Sequence, residues 1–413
     1  MRTESVDVVV TGAGPSGSVV SGILRKSGRK VLVLEKETFP RFSIGESLLP
    51  QTMQYIEEAG MLRDVVEAGF QYKNGASFTR GDQRTEFDFR DKFSNGWGTT
   101  YQVERAKFDK VLADAAQRMG ADIRYRHEVK SVDVKGQPKL VVQDMDKNET
   151  YQVEARVILD ASGFARLLPR LLDLEQPSQF PVRQALFTHV ADRIPPGGGK
   201  APFDRNKIRI AVHPKHIDVW YWLIPFSNGR SSLGVVAEAK FLDQLQGDEA
   251  TKLKQMVFEE PNLKELLANA EWDTPVRTLR GYSSNVKHLC GPGYALLGNA
   301  GEFLDPVFSS GVTIAMTSSS LAAKCVNKQL DGEPVDWEGE YAKPLKKGVD
   351  SFRAFVEAWY QGGFQKIIFH PSPSPDIRRM ICAILAGYAW DQSNPYVAEP
   401  KRRLNVLEQV CSA

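Results

Sequence analysis

Nothing in this chain constrains its fold more than its first 35 residues, where Val6-Asp7-Val8-Val9-Val10 runs into Gly12-Ala13-Gly14-Pro15-Ser16-Gly17. The apolar run predicts a buried strand, Pro15 to Ser27 a helix, and Lys30 to Glu35 a second strand, so the GxGxxG sits at the turn of a βαβ unit. In that setting each glycine has a mechanical task. Gly12 permits the tight turn, Gly14 lets a pyrophosphate approach the backbone, and Gly17 lets helix and strand pack closely. The free N–H groups of the helix start then hold the phosphate charge. Glu35 ends the second strand, placed to accept hydrogen bonds from a ribose diol rather than to welcome a 2′-phosphate. The unit predicts a bound dinucleotide, either FAD or NAD.

Further along, Phe108 to Met119 predicts a helix, and Ala121 to Tyr125 and Tyr151 to Leu159 predict strands that resume the nucleotide domain. From Gln179 to Leu242 the pattern shortens to strands (Ile208 to Val212, Val219 to Ile224, Ser232 to Val236), which predicts an inserted antiparallel sheet. Gly293 to Gly298 predicts another buried strand and Gly311 to Leu330 a helix. After Trp337 the chain turns helical and aromatic, with Phe352, Phe355, Trp359, Tyr360, Phe364 and Phe369, interrupted at Pro371-Ser372-Pro373-Ser374-Pro375. These aromatics read first as core. The expected divisions are 1–178 for the nucleotide domain, with the Lys73 segment contributing to the substrate side, 179–285 for the inserted sheet, 286–335 for the return, and 336–413 for the helical C-terminal region.

Composition closes off other classes. The 413 residues include 53 basic and 51 acidic side chains, a net charge of +2, so no general field gathers nucleic acid or an anionic membrane surface. Cys290, Cys325, Cys382 and Cys411 lie far apart, which suggests neither zinc nor a disulfide framework. No apolar run approaches the ~20 residues of a membrane span, and an apolar strand follows the N-terminus too soon for a signal peptide. The expectation is a soluble, cytoplasmic protein with reduced thiols.

Three further segments carry a resemblance. Phe39-Pro40-Arg41-Phe42-Ser43-Ile44-Gly45-Glu46-Ser47-Leu48 follows the ribose-binding acid, Trp220-Tyr221-Trp222-Leu223-Ile224-Pro225 matches WxWxIP, and Phe303-Leu304-Asp305-Pro306-Val307-Phe308-Ser309-Ser310-Gly311 matches FxxPxxSxG. The chain thereby resembles the flavin-dependent halogenases, in their phenol- and pyrrole-acting branch, from its first strand to about Leu330. The resemblance implies an α/β fold like para-hydroxybenzoate hydroxylase: a Rossmann-like FAD-binding domain, an inserted antiparallel-sheet substrate domain and a helical C-terminal region. It also implies FAD, reduced by a separate flavin reductase, and a C4a-hydroperoxyflavin that oxidises chloride or bromide to hypohalous acid. That acid would travel to a lysine, and the aromatic substrate, in some members tethered to a carrier protein, would be halogenated there.

The lysine so implied is Lys73, in Gly69-Phe70-Gln71-Tyr72-Lys73-Asn74-Gly75. Partial burial would lower its pKa and make a neutral amine available. The FAD contacts implied are Gly12, Gly14, Gly17, Glu35, Arg41, Ser47, Arg105, Asn299 and Asp305. Asn299 stands where relatives usually carry an aspartate, an exchange that keeps a hydrogen bond to a ribityl hydroxyl but loses the charge. Halide is expected at the backbone N–H groups of Ser310 and Gly311, where a turn enters a helix. Trp220 and Trp222 alternate on a strand and share a face, and with Pro306 and Phe308 they are expected at the substrate and tunnel side. Phe308 occupies the position where indole-acting members carry a glutamate, which argues for a phenol or pyrrole that activates itself. One dinucleotide fingerprint leaves no obvious second site for NAD(P)H. The competing expectation is an FAD monooxygenase or geranylgeranyl-reductase-like oxidoreductase of the same fold.

Overall fold

The computed structural model describes residues 2–199 and 201–412. Its larger sheet has eight strands, and its centre is parallel, in the order Tyr294–Leu296, Glu149–Asp160, Thr3–Thr11, Val31–Glu35, Asp122–Tyr125. Val8, Val9 and Val10 are fully buried because both faces of the sheet are covered, by helices on the side of Val8 and Val10 and by the strands His127–Asp133 and Lys139–Asp144 on the side of Val9, which is why that strand reads as a continuous apolar run. The helices Pro15–Lys26 and Ser310–Leu330 meet through small residues, and Ser16 Oγ lies 2.9 Å from Ser319 Oγ. Large side chains there would push the two helices apart.

The second sheet has seven strands, in the order Arg277–Arg280, Arg183–Ala191, Arg230–Glu238, Trp220–Pro225, Lys207–Val212, Gly75–Arg80, Gln83–Asp88. It is mixed rather than purely antiparallel, because Gly75–Arg80 pairs parallel with Lys207–Val212. That strand arrives from early in the chain, so no tight turn dictates its direction. The residues just after Lys73 therefore lie in the same sheet as the two tryptophans. Strand alternation gives this sheet two working faces. Tyr221, Leu223, Leu233 and Val235 pack on the helices Glu249–Glu259 and Pro261–Leu266, while Phe78, Ile210, Trp220 and Trp222 join the core shared with the nucleotide domain.

The C-terminal helices include Lys343–Tyr360, Gly363–Ile368, Pro375–Leu385 and Pro400–Ser412. Phe352, Phe355, Trp359 and Phe364 are fully buried, so these aromatics are core, as their spacing suggests. The layer is also tied to the segment after residue 47, since Gln51 N donates to Ala386 O at 3.1 Å. Among the described residues no helix is long and apolar enough to cross a membrane, and no group of three or more His, Cys, Asp or Glu side chains is placed to hold a metal ion.

Candidate active site

A cavity of about 650 Å³ opens at the C-terminal ends of the parallel strands, where α/β sheets bind their ligands. Its walls bring together Gly12, Gly14, Glu35, Arg41, Ser47, Arg105, Trp220, Trp222, Asn299, Pro306 and Gly311, which the sequence scatters over three hundred positions. Gly12 has φ +94°, and a Cβ there would lie 2.6 Å from Ala161 O. Gly17 does not line the cavity. Its task is packing, since a Cβ at Gly17 would lie 1.9 Å from Gly12 O.

The Glu35 carboxylate is buried and oriented by two backbone donors, Ala13 N and Glu37 N, each at 2.9 Å. Arg41 is held only loosely, 3.6–3.9 Å from Glu35, Glu37 and Asp109, so its guanidinium keeps donors for a phosphate or ribose. Arg105 is the opposite case. Its Nε donates to Asp109 Oδ1 at 2.7 Å, Nη2 to Oδ2 at 3.1 Å, and Nη1 to Ile44 O. Arg105 therefore fastens the 41–47 segment while lining the cavity. Ser47 Oγ is buried without a hydrogen-bond partner, a state that proteins rarely leave uncompensated. The glycine cradle, the oriented acid, the loosely held arginine and the unpartnered hydroxyl fit the adenosine, pyrophosphate and ribityl groups of FAD.

At the far wall, Asp305 Oδ1 accepts from Val307 N at 3.0 Å and so caps the short turn Pro306–Phe308. Ser309 then adopts a left-handed φ of 56°, and the helix Ser310–Leu330 begins. Ser309 and Gly311 line the cavity, whereas Ser310 and Phe308 do not. Phe308 points into an aromatic cluster, 5.9 Å from Trp359 and 5.4 Å from Phe364 between ring centroids. Asp305, expected as a cofactor contact, is instead turned away from the cavity. Its Oδ2 accepts from Tyr360 OH at 2.8 Å and Tyr282 OH at 3.2 Å, and burial pushes its carboxyl up to about 6. Asp305 does not line the cavity, so its carboxylate is placed to serve these protein donors and not the ligand space.

Trp220 and Trp222 do share a face, with ring centroids 5.9 Å apart. Gly234 lies beneath Trp222, where a Cβ would come within 2.3 Å of the ring. Lys73 has no solvent exposure, and its Nζ donates to Leu48 O at 2.7 Å and lies 5.3 Å from the Phe89 ring centroid. Burial alone lowers its pKa to about 7. Among the described residues it forms no ion pair and does not line the cavity. The link between the two places is the 47–48 backbone. Ser47 faces the cavity, and the carbonyl of the next residue holds the Lys73 amine. Ser47 bridges to Gln102, and Thr100–Gln102 pairs in turn with Gln71–Lys73.

Sequence reasoning misses the partner of Glu46. This carboxylate is buried, lines the cavity and lies 2.7 Å from His189 Nε2, with the imidazole between Phe42 and Phe226. Glu46 stands inside a conspicuous motif, but a lone histidine on a strand carries no signal of its own.

The FAD binding domain family model matches residues 5–207. The chain is 30% identical over 399 residues to the 1H-pyrrole-2-carbonyl-[peptidyl-carrier protein] brominase of Pseudoalteromonas luteoviolacea, covering 94% of this chain and 93% of that relative. Among solved structures it is similar to a flavoprotein/dehydrogenase from Cytophaga hutchinsonii, with TM-score 0.94 and 43% identity over 99% of both chains. It is also similar to the flavin-dependent brominase Bmp2, with TM-score 0.82 and 27% identity over 98% of this chain and 99% of that one. The match to the brominase along nearly its whole length, on a cavity whose walls suit FAD, makes this chain an FAD-dependent oxidoreductase of the flavin-dependent halogenase family.

Proposed function

We propose that the chain halogenates an electron-rich phenol or pyrrole, with Lys73 as the amine that carries the halogen to the ring. The observation that carries this reading is the adjacency of Ser47 on the cavity wall to Leu48, whose carbonyl holds a fully buried lysine with a pKa near 7. Reduced FAD, when bound, supplies the oxidising equivalents by reacting with oxygen. The chain's own residues do the rest. Gly12, Gly14, Glu35, Arg41 and Ser47 hold and orient the nucleotide, and Gly311, on the cavity wall at the start of the Ser310–Leu330 helix, offers a halide its N–H and the positive end of that helix. Trp220 and Trp222 wall off the cavity, which keeps the organic substrate from the flavin.

At neutral pH a substantial fraction of Lys73 is the free amine, whose lone pair takes the halogen from hypohalous acid and releases water. The N–halogen bond then breaks as the halogen joins a ring carbon, and the ring proton leaves to restore the amine. Phe308 supplies no base, so the substrate's own hydroxyl or ring nitrogen must stabilise the cationic ring. A carrier-protein-tethered substrate follows the pyrrole-carrier relative, and a flavin reductase is the partner required by a chain with one dinucleotide fingerprint.

The test is Lys73→Ala supplied with reduced FAD, oxygen and bromide alongside a panel of phenols and pyrroles, free and carrier-bound. Brominated product should vanish while the bound-flavin absorbance is kept. A second reading, FAD oxidation or oxygenation without halide, draws support from the absence of Lys73 from the cavity wall and from the name of the Cytophaga hutchinsonii neighbour. Hydroxylated or reduced product that persists in Lys73→Ala would favour it.

A further inference from the structure

We infer that Tyr360, from the C-terminal region, is a positioning residue that fixes the indole of Trp220 as a wall of the FAD cavity, acting from a buried anchor on Asp305. The inference rests on the halogenation reading only for the meaning of that wall; the anchor itself is geometry.

Trp220 lines the cavity and is 1% exposed, yet its indole N–H does not point at the ligand space. It donates to Tyr360 OH at 2.9 Å. The Tyr360 hydroxyl passes its own hydrogen to Asp305 Oδ2 at 2.8 Å, and Tyr282 OH donates to the same oxygen at 3.2 Å. The other carboxylate oxygen caps Val307 N at 3.0 Å. The Arg183 guanidinium lies over the Tyr360 ring, 3.4 Å from its centroid, and holds it in place by cation–π contact.

Three parts of the fold therefore meet on one carboxylate. The inserted sheet brings Trp220 and Arg183, the loop after its edge strand Arg277–Arg280 brings Tyr282, the turn before the Ser310 helix brings Asp305 and Val307, and the helix Lys343–Tyr360 brings Tyr360. A phenol suits the middle position because one hydroxyl accepts from the indole and donates to the carboxylate at once. Phenylalanine keeps the ring and its stacking but does neither, leaving a buried indole N–H and a carboxylate oxygen short of partners. Trp222 makes a useful contrast. Its N–H is held at 3.0 Å by Ser232 within its own sheet, so of the pair only Trp220 has its N–H anchored from outside the sheet.

The experiment compares wild type, Tyr360→Phe, Trp220→Phe and the double variant by NMR of the indole N–H groups, with the Trp220 signal identified by its loss in Trp220→Phe. In Tyr360→Phe the Trp220 N–H signal should move and exchange with solvent faster by roughly tenfold, the scale of one lost hydrogen bond. The Trp222 signal should stay in place. Tyr282→Phe touches the same carboxylate but not the indole, and should leave Trp220 exchange unchanged. If Tyr360→Phe does not fold, Asp305→Asn weakens the anchor from the other end of the chain of bonds, and the Trp220 signal should shift in the same direction by less, because the Tyr360 hydroxyl still accepts from the indole; an unmoved signal there also contradicts the inference.

A second arm follows hydrogen peroxide released per reduced FAD consumed, with bromide present. This leak should rise several-fold in Tyr360→Phe with FAD affinity little changed, and adding Tyr360→Phe to Trp220→Phe should add almost nothing, as expected of residues acting in series. An unmoved Trp220 signal in folded Tyr360→Phe, or effects that multiply in the double variant, would overturn the inference. Should wild type give no brominated product at all, the function fails while the NMR arm still decides the anchor.

Discussion

The FAD cavity and the surroundings of Lys73 differ in one property above all, their access to water. The cavity is open, and its walls carry charges and donors still in search of partners, such as Arg41 and Ser47. Lys73 is closed off, with one carbonyl for company and an aromatic ring nearby. A charge costs little in the first place and a great deal in the second, which is why burial moves the amine to about 7. Under the proposed halogenation, an oxidant made in the open cavity is used at a dry amine. Here the two are joined by two consecutive residues of backbone.

The largest effect expected from breaking this contrast is at the dry end. Lys73→Ala should lower brominated product by about 10²–10⁴-fold, the range for removing a group that transfers atoms or protons in the rate-determining step, while flavin binding, followed by absorbance, persists. At the wet end, Gly17→Ala forces a Cβ against the Gly12 carbonyl and should cost about 1–3 kcal/mol of stability and most of the FAD affinity, read by thermal melting and fluorescence titration. Glu35→Gln retains the shape but loses the charge-assisted bonds to a ribose, so FAD should bind roughly tenfold more weakly. Ser47→Ala should have the smallest effect, a few-fold loss of FAD affinity with no loss of stability without FAD, because its hydroxyl has no protein partner to lose.

A pH series sharpens the same contrast. Lys73 has a folded pKa near 7, below its unfolded value of 10.5, so the unfolded chain binds more protons across that window. Stability should therefore rise as pH goes from about 7 to 10.5 and be flat for this group below 7. Lys73→Met, measured by denaturant titration, should lose that contribution. Product formation should rise through an apparent pKa near 7 as the free amine appears.

The wet end was legible in the sequence because its chemistry is local. Strand, glycines, helix, strand and Glu35 occupy thirty consecutive residues, and each has one mechanical reason to be there. Arg105, expected to contact FAD, lines the cavity with its guanidinium engaged by Asp109 and Ile44. The rest depends on long-range contacts that no spacing encodes. The parallel pairing of Gly75–Arg80 with Lys207–Val212 crosses the chain, and Asp305 stands in a recognisable motif yet serves Tyr282 and Tyr360 rather than a ligand. His189 gains its meaning only from Glu46, and Tyr360 only from Trp220. The aromatic C-terminal region reads as core, and it is core. The exception is the single hydroxyl that a hydrophobic pattern hides.

The most direct measurement is a two-step mixing experiment. Reduced FAD, oxygen and bromide are given to the protein without an aromatic substrate, small molecules are removed by rapid desalting, and a phenol is then added for mass spectrometry. Wild type should still brominate the phenol after desalting, and Lys73→Ala should not. Bromination by the desalted Lys73→Ala variant equal to that of wild type, or hydroxylated phenol in place of brominated phenol, would contradict the account.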